Sequence, residues 1–328
     1  MATQLEGTLV ELAADRLQDQ FRVDVLTGLA QPQKTVPARW FYDRRGSELF
    51  DEITRLPEYY PTRAEIAILA ERCGQIAAAV GKGRVVVEFG AGSAAKTPLL
   101  LDCIAPAGYL PVDISGAYLR DSCAALASRY PGLPIAPVEG DFTHAMTLPD
   151  AVRKRPVLGF FPGSTIGNFA AAAAVDLLRA MRATLGEGSM LLIGMDLIKQ
   201  PSVLTAAYDD TAGVTAAFNR NLAERINREL DGTIPLEALD HKAVWNAGRA
   251  RIEMHLEARR DIAFRVAGRD FAMRAGETIH TENSHKYDLR SATQLLLAGH
   301  WQPFAHYTDS EQRFMVMLCR ASADAVTA

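Results

Sequence analysis

The 328-residue chain has little of what announces metal, nucleic-acid or membrane chemistry. Its four cysteines, Cys73, Cys103, Cys123 and Cys319, form no CxxC pair, and none of its seven histidines stands in HExxH spacing. Zinc sites use such clusters, so no metal is expected. The thiols read as small core residues, buried and reduced. Net charge is −4 and no block of Lys and Arg stands out, so the footprint of a nucleic-acid binder is missing. No run reaches the ~18 consecutive apolar residues that a membrane span needs. The N-terminal stretch MATQLEGTLVELAADRLQDQ carries acids and no long apolar core, which makes a cytoplasmic location the expectation. Internal repeats and low-complexity tracts are absent as well. What is there is 48% hydrophobic, enough for a sizeable core. A globular protein with a small-molecule partner is expected, a monomer in its simplest state.

Short apolar runs alternate with helical patterns from about residue 64 to 196, the signature of βαβ units and a parallel sheet. Five strands are predicted at 84–89, 108–114, 134–140, 156–161 and 189–196, with a helix in AAAAAVDLLRAMRATL. Near the C-terminus LRSATQLLLAGHW reads as a helix, and QPFAHYTDSEQRFMVMLCR as two strands joined by a polar turn at Asp309 and Ser310. That hairpin would add an antiparallel edge. Between 197 and 286 the sheet pattern is interrupted by a helical stretch and then by successive strands, too long a segment for a loop. The fold class is therefore α/β, a Rossmann-like, mostly parallel sheet with a C-terminal antiparallel hairpin and a second, α+β lobe. Residues 1–62 and 197–286 are expected to form the lobe, and 63–196 and 287–328 the sheet domain.

VVVEFGAGSAAKT (85–97) is a buried strand running into Gly90, Gly92 and a helix start, a turn that lets a ligand approach the backbone closely. Gly90-x-Gly92-x-x-Ala95 with Asp113 further on also matches the dinucleotide fingerprint, so a nicotinamide cofactor competes with S-adenosylmethionine, and a plain turn with both. Two features favour S-adenosylmethionine. Glu88 lies inside the apolar strand, where a charge is costly without a partner or ligand. The acids Asp113 and Asp141 end the next two strands, where ribose hydroxyls and an adenine amino group would sit, with Phe142 to cover the ring. Asp141 taken alone reads as readily as a helix N-cap.

WFYDRRGSELFDEITRLPEYYPTRAE (40–65), FFPGSTIGNF (160–169), AYDDTAGVTAAFNRN (207–221) and IEMHLEARR (252–260) together carry a specific likeness. Over nearly the whole chain they resemble the histidine Nα-trimethyltransferases of ergothioneine biosynthesis. The resemblance implies a class I S-adenosylmethionine methyltransferase with an added substrate lobe, acting on the α-amino group of L-histidine to give the trimethylated betaine, hercynine. It implies cofactor contacts at Gly90, Lys96, Asp113, Asp141 and Phe142, with Glu88 and Gly92 in the same glycine motif. Asn168 and Tyr208 would grip the amino-acid carboxylate. Tyr59, Glu282 and Ser284 would meet the imidazole, Tyr42 would act through water near the amine, and Met254 would line the ring pocket. Tyr42, Tyr59, Asn168 and Tyr208 are then the groups nearest the chemistry, and no strong general base is needed.

Some of this has a reading independent of kinship. If TIHTENSHKY is extended, Glu282 and Ser284 share one strand face and address one ring, while Asn283 and His285 face away. The glycines of GSTIGN allow close approach and Asn168 offers an amide, although a turn or helix-cap role explains Asn168 equally well. A related aromatic amino acid remains the competing substrate. A nicotinamide-dependent oxidoreductase and a non-catalytic S-adenosylmethionine-binding regulator are the other readings.

Overall fold

The computed structural model describes residues 18–92, 96–114 and 116–322. Ala95 and residues 1–17 of the expected lobe lie outside them. The strands are β1 (Lys34–Thr35), β2 (Val85–Phe89), β3 (Gly108–Asp113), β4 (Val138–Glu139), β5 (Val157–Phe161), β6 (Met190–Asp196), β7 (Leu239–Asn246), β8 (Arg251–Ala258), β9 (Ile262–Val266), β10 (Arg269–Met273), β11 (Thr278–His285), β12 (Trp301–Thr308) and β13 (Phe314–Ala321). The helices are α1 (residues 18–29), α2 (Arg44–Ile53), α3 (Tyr60–Val80), α4 (Thr97–Ile104), α5 (Gly116–Arg129), α6 (Asp150–Arg153), α7 (Ala171–Leu185), α8 (Pro201–Ala206), α9 (Val214–Glu229) and α10 (Leu289–Ala298). The chain divides into a first unit, Met1–Ile53 with Tyr208–Val244 and Ile252–Glu282, and a second, Thr54–Ala207 with Trp245–Arg251 and Asn283–Ala328.

The second unit is built on a seven-stranded sheet in the order β12-β13-β6-β5-β2-β3-β4. β2 to β6 pair in parallel, whereas β13 pairs antiparallel with β6 and β12 with β13, the expected C-terminal hairpin. Every residue of β2, β5 and β6 is buried, as strands covered on both faces must be, and their Val, Leu, Ile and Phe side chains supply the two main cores. The hairpin turn is held by Asp309, whose carboxylate accepts from the backbone N–H groups of Glu311, Arg313 and Phe314 at 3.1, 2.8 and 2.7 Å. The strand expected over 134–140 shrinks to Val138–Glu139 and an isolated bridge at Ile135. Pro134 and Pro137 have no N–H to donate to a ladder, which explains the loss.

The thiol expectation needs correction. Cys123 and Cys319 are free and buried, but half-buried Cys73 on α3 and Cys103 on α4 are joined as a disulfide, with Cα atoms 5.4 Å apart. Packing of α3 on α4 brings together cysteines 30 positions apart, and nothing in their spacing signals it.

The first unit contains α1, α2, α9, the β9–β10 hairpin and most of a sheet ordered β1-β11-β8-β7. WFYD is spent largely on its core. Phe41 stacks on Phe218 of α9 with ring centroids 4.4 Å apart, and Trp40 packs on Phe21 at 4.9 Å while its indole N–H donates to Asp24 at 2.9 Å. Asp43 caps α2 through the Gly46 N–H (2.7 Å) and accepts from the Asn221 amide (2.8 Å).

Candidate active site

In the large sheet β2, β3 and β4 succeed one another to one side while β5 and β6 lie on the other, so strand order reverses between β2 and β5. Ligands of open α/β sheets sit outside the carboxyl ends of the strands at such a reversal. Two loops leave there, the glycine turn after β2 and FFPGSTIGNF after β5.

Gly90 has φ +72°, a region that favours glycine, and its N–H donates to Val112 O at 2.9 Å. A Cβ on Gly90 would stand 3.7 Å from the Phe142 ring, and among the described residues nothing lies within 4 Å of a Cβ on Gly92. Phe142 is fixed edge-on against Phe89 and Phe161, with centroids 6.2 and 5.8 Å away. Asp113 ends β3 half-buried. Asp141 closes a turn, accepting from the Thr143 N–H (2.9 Å) and hydroxyl (2.6 Å), and caps no helix, so that alternative falls away.

Glu88 finds its partners within the protein, since its buried carboxyl accepts from the Tyr109 hydroxyl at 2.7 Å and the Thr97 hydroxyl at 2.8 Å. Burial nonetheless pushes its pKa up from 4.5 to about 7. A folded-state value raised above the unfolded one means that the native chain holds a proton the unfolded chain has lost, so stability falls as pH rises through that window. The total is roughly 3 kcal/mol between about pH 4.5 and 7. Glu88→Gln is expected to flatten this slope when unfolding free energy is measured against pH. Parallel profiles for parent and variant would refute it.

The loop after β5 is tied into the same region. Fully buried Glu65 of α3 accepts from the Gly163 N–H at 2.9 Å and pairs with Lys96 at 2.6 Å, linking the two loops. Ser164 sits in the left-handed region at φ 58°, and its hydroxyl accepts from the Asp196 N–H at 2.9 Å. Asn168 is the last residue of a 3-10 turn, half-buried, and its side chain makes no hydrogen bond among the described residues. α7 begins after Ala170 without a side-chain cap, so the cap reading of Asn168 falls away too. Gly167 packs directly on β11. A Cβ there would meet His285 O at 2.8 Å, and Gly167 O accepts from the His285 Nδ1–H at 2.8 Å. Asn168 and Ser284, next in sequence to this contact, are thereby held on neighbouring segments.

Behind Ser284 lies a cluster that sequence reasoning missed. Fully buried Asp196, at the end of β6, accepts from Tyr60 at 2.8 Å, from Lys199 at 2.6 Å and from Lys286 at 2.7 Å. Lys286 also donates to the Ser284 hydroxyl at 2.8 Å. Burial works to raise the Asp196 carboxyl, but the ammonium groups of Lys286 and Lys199 hold it below its ordinary value. Burial pulls Lys199 down to about 8. Tyr59, beside Tyr60, is buried, and its segment is pinned by Arg63, which donates to the carbonyls of Leu56, Pro57 and Tyr59 at 2.6, 2.6 and 3.2 Å.

The first unit organises the remaining candidates. The Tyr208 carbonyl accepts from His241 Nε2–H at 2.8 Å, and His241 Nδ1 accepts from the Asn219 amide at 2.9 Å. Burial lowers the pKa of His241, in keeping with this neutral tautomer. Asn219 also bonds His255 O and the Thr281 hydroxyl, which lies 3.0 Å from Met254 O, so Tyr208, β8 and β11 share one buried amide. Tyr42 lies edge-on to Phe50 and Phe218 at 5.7 and 5.9 Å. Glu282 and Ser284 are both buried and, two apart on β11, share one face of the strand.

Residues 21–321 match the family profile described as histidine-specific methyltransferase, SAM-dependent. The chain belongs to that family. Among relatives of this histidine-specific methyltransferase family, the chain is 45% identical over 283 residues to a histidine N-alpha-methyltransferase of Mycolicibacterium smegmatis, covering 84% of this chain and 87% of that one. It is 26% identical over 311 residues to ergothioneine biosynthesis protein 1 of Neurospora crassa, covering 90% of this chain and 35% of that one. A 4-dimethylallyltryptophan N-methyltransferase of Claviceps purpurea is 24% identical over 315 residues, covering 88% and 91%. The mostly parallel sheet with its antiparallel hairpin is the class I fold expected of a family member. No described helix is long and apolar enough to cross a membrane.

Proposed function

We propose that the protein transfers methyl groups from S-adenosylmethionine to the α-amino nitrogen of L-histidine, carrying it to hercynine as in ergothioneine biosynthesis. The observation that carries this reading is the family match over residues 21–321, together with 45% identity to a histidine N-alpha-methyltransferase.

The residues at the sheet reversal fit the cofactor. The glycine turn with Phe142 beside it suits an adenosyl group, and the carboxylates of Asp113 and Asp141 suit its ribose hydroxyls and amino group. The Lys96 ammonium has donors beyond the one that Glu65 uses, available to a cofactor carboxylate. When bound, S-adenosylmethionine supplies a methyl group activated by a positive sulfur. The chain's own residues have to hold a neutral amine in line with that carbon, a task of orientation in which no strong base takes part. Asn168 and Tyr208 hold the carboxylate by hydrogen bonds. Tyr59, Glu282 and Ser284 take the ring, Met254 packs on it, and Tyr42 orders water at the amine. Aromatic faces around that nitrogen tolerate the cation that repeated methylation creates.

The test is incubation with S-adenosylmethionine and each of the twenty amino acids, read by mass spectrometry. Histidine gaining one, two and three methyl units, with no other amino acid modified, is the expected result. Product from an aromatic amino acid such as tryptophan would replace the substrate assignment, and no product from any of them would overturn the reading.

A further inference from the structure

Glu65 stands on α3 among residues that feed the core, Ala64, Ile68 and Leu69, and its side chain is 0% exposed. Burying a carboxylate in such surroundings is costly unless it is paired, and replacing a buried ion pair by well-packed apolar groups is often neutral or stabilising. The pair that Glu65 makes therefore calls for a reason other than stability. Its bonds run through Oε2, which accepts from the Gly163 N–H at 2.9 Å and meets Lys96 Nζ at 2.6 Å. Oε1 is buried with no hydrogen-bond partner among the described residues. Two glycines leave the room that this arrangement needs. A Cβ on Gly194 of β6 would collide with Oε1, and one on Gly163 would stand 3.3 Å from Lys96 Nζ. Lys96 is the N-cap residue of α4, in the loop after β2, and Gly163 lies in the loop after β5. One carboxylate oxygen thus joins both loops at the reversal of strand order.

A lysine ammonium is a strongly hydrated point charge on a flexible four-carbon stem, and nothing in the stem keeps it in one place. Glu65 supplies what the stem lacks. Its carboxylate comes from a helix packed in the core, its Oε2 is fixed by the Gly163 N–H, and the Lys96 side chain, 14% exposed, is held against it. The ion pair takes one of the three ammonium donors and leaves the others for a ligand. We propose that Glu65 is a positioning residue, which holds the Lys96 ammonium between the two loops for the carboxylate at the cofactor's amino-acid end. The inference rests on the reading that Lys96 meets that carboxylate, and it deepens that reading, since Glu65 touches neither cofactor nor substrate and acts through Lys96. A charge placed before the ligand arrives spares the ordering of a rotamer-rich side chain on binding, which raises affinity. The adenosyl group meets no part of the pair, so only the carboxylate end of the cofactor registers Glu65.

The test uses the full chain and two probes, S-adenosylhomocysteine and its decarboxylated analogue, which lacks only the carboxylate. Calorimetry reads Kd for each probe in the parent, Glu65→Gln, Lys96→Met and the double variant. Glu65→Gln is expected to raise Kd for S-adenosylhomocysteine roughly tenfold and to leave that of the analogue within about twofold of the parent. In the Lys96→Met background the same substitution should change Kd for S-adenosylhomocysteine by less than about twofold. A merely structural Glu65 would weaken both probes alike, which would overturn the proposal, as would an unchanged Kd for S-adenosylhomocysteine or an equal loss in the Lys96→Met background. Gly194→Ala reaches the same side chain from the opposite side and keeps Glu65, Lys96 and Gly163 in the chain. It should show the same split between the probes, and it decides the matter if Glu65→Gln fails to fold; a loss of both probes alike would again overturn the proposal. Lys96→Met reports on the reading beneath. If it binds the two probes in the parent's ratio, Lys96 does not meet the carboxylate, and that reading falls together with the inference. A lowered preference for S-adenosylhomocysteine in Lys96→Met without one in Glu65→Gln overturns the inference alone, and a parent that binds neither probe overturns the cofactor assignment.

Discussion

Asp196→Ala is expected to lower the unfolding free energy by about 3 to 5 kcal/mol, enough to unfold much of the protein at physiological temperature. The size follows from what the substitution leaves behind. Asp196 is fully buried, and its carboxylate is the shared partner of two ammonium groups and a tyrosine hydroxyl. Removing it takes away the carboxylate paired with Lys286, whose side chain has no solvent exposure. Burial already depresses the neighbouring Lys199 to about 8, and loss of the carboxylate drives it further down. Lys286→Met is the comparator, because it removes a charge and leaves Asp196 bonded to Lys199 and Tyr60. The methionine variant should therefore lose clearly less than the alanine variant. Denaturant titrations of the two proteins settle the matter, and a loss of less than about 1 kcal/mol in Asp196→Ala would show that the cluster does not act as a charge network.

How much of this was legible beforehand depends on whether a residue's partner lies near it in the chain or far away. The β2 run VVVEF followed by glycines predicts a buried strand and a turn with unusual dihedrals, and both appear, because strand burial and Gly90's φ of +72° are local consequences of those side chains. The C-terminal hairpin is legible for the same reason, with alternation on either side and Asp309 to close the turn. Partners far apart in sequence were invisible. Glu65 lies 98 positions from Gly163 in the bond that ties the two loops together, and no periodicity in α3 distinguishes it from a solvated acid. Asp196 offered a faint signal as another acid at a strand end, after Asp113 and Asp141. Lys286 offered one by standing two positions beyond Ser284. The disulfide and the Asn219–His241 pair offered none. Kinship accounts for Tyr42, Tyr59, Tyr208 and Met254, since an aromatic or methionine in an apolar stretch reads as core by its chemistry alone.

Glu282→Ala is expected to reduce kcat/KM for histidine by roughly 10- to 150-fold while the affinity for S-adenosylmethionine stays within about twofold of the parent. Glu282 is 8% exposed and sits one strand repeat from Ser284, so a ring bonded by one lies within reach of the other. A hydrogen bond between a buried carboxylate and a ring N–H is worth about 1.5 to 3 kcal/mol, which gives that range when one partner is deleted. The cofactor should not register the change, because Glu282 is not among the residues proposed to hold it. Glu282→Gln separates charge from shape. Its amide oxygen can still accept from the ring, so it should fall between parent and alanine variant, nearer the parent at a pH where the imidazole is neutral. Unchanged histidine kinetics in Glu282→Ala would remove this carboxylate from the ring pocket, and an equal loss of cofactor affinity would reassign it to the fold.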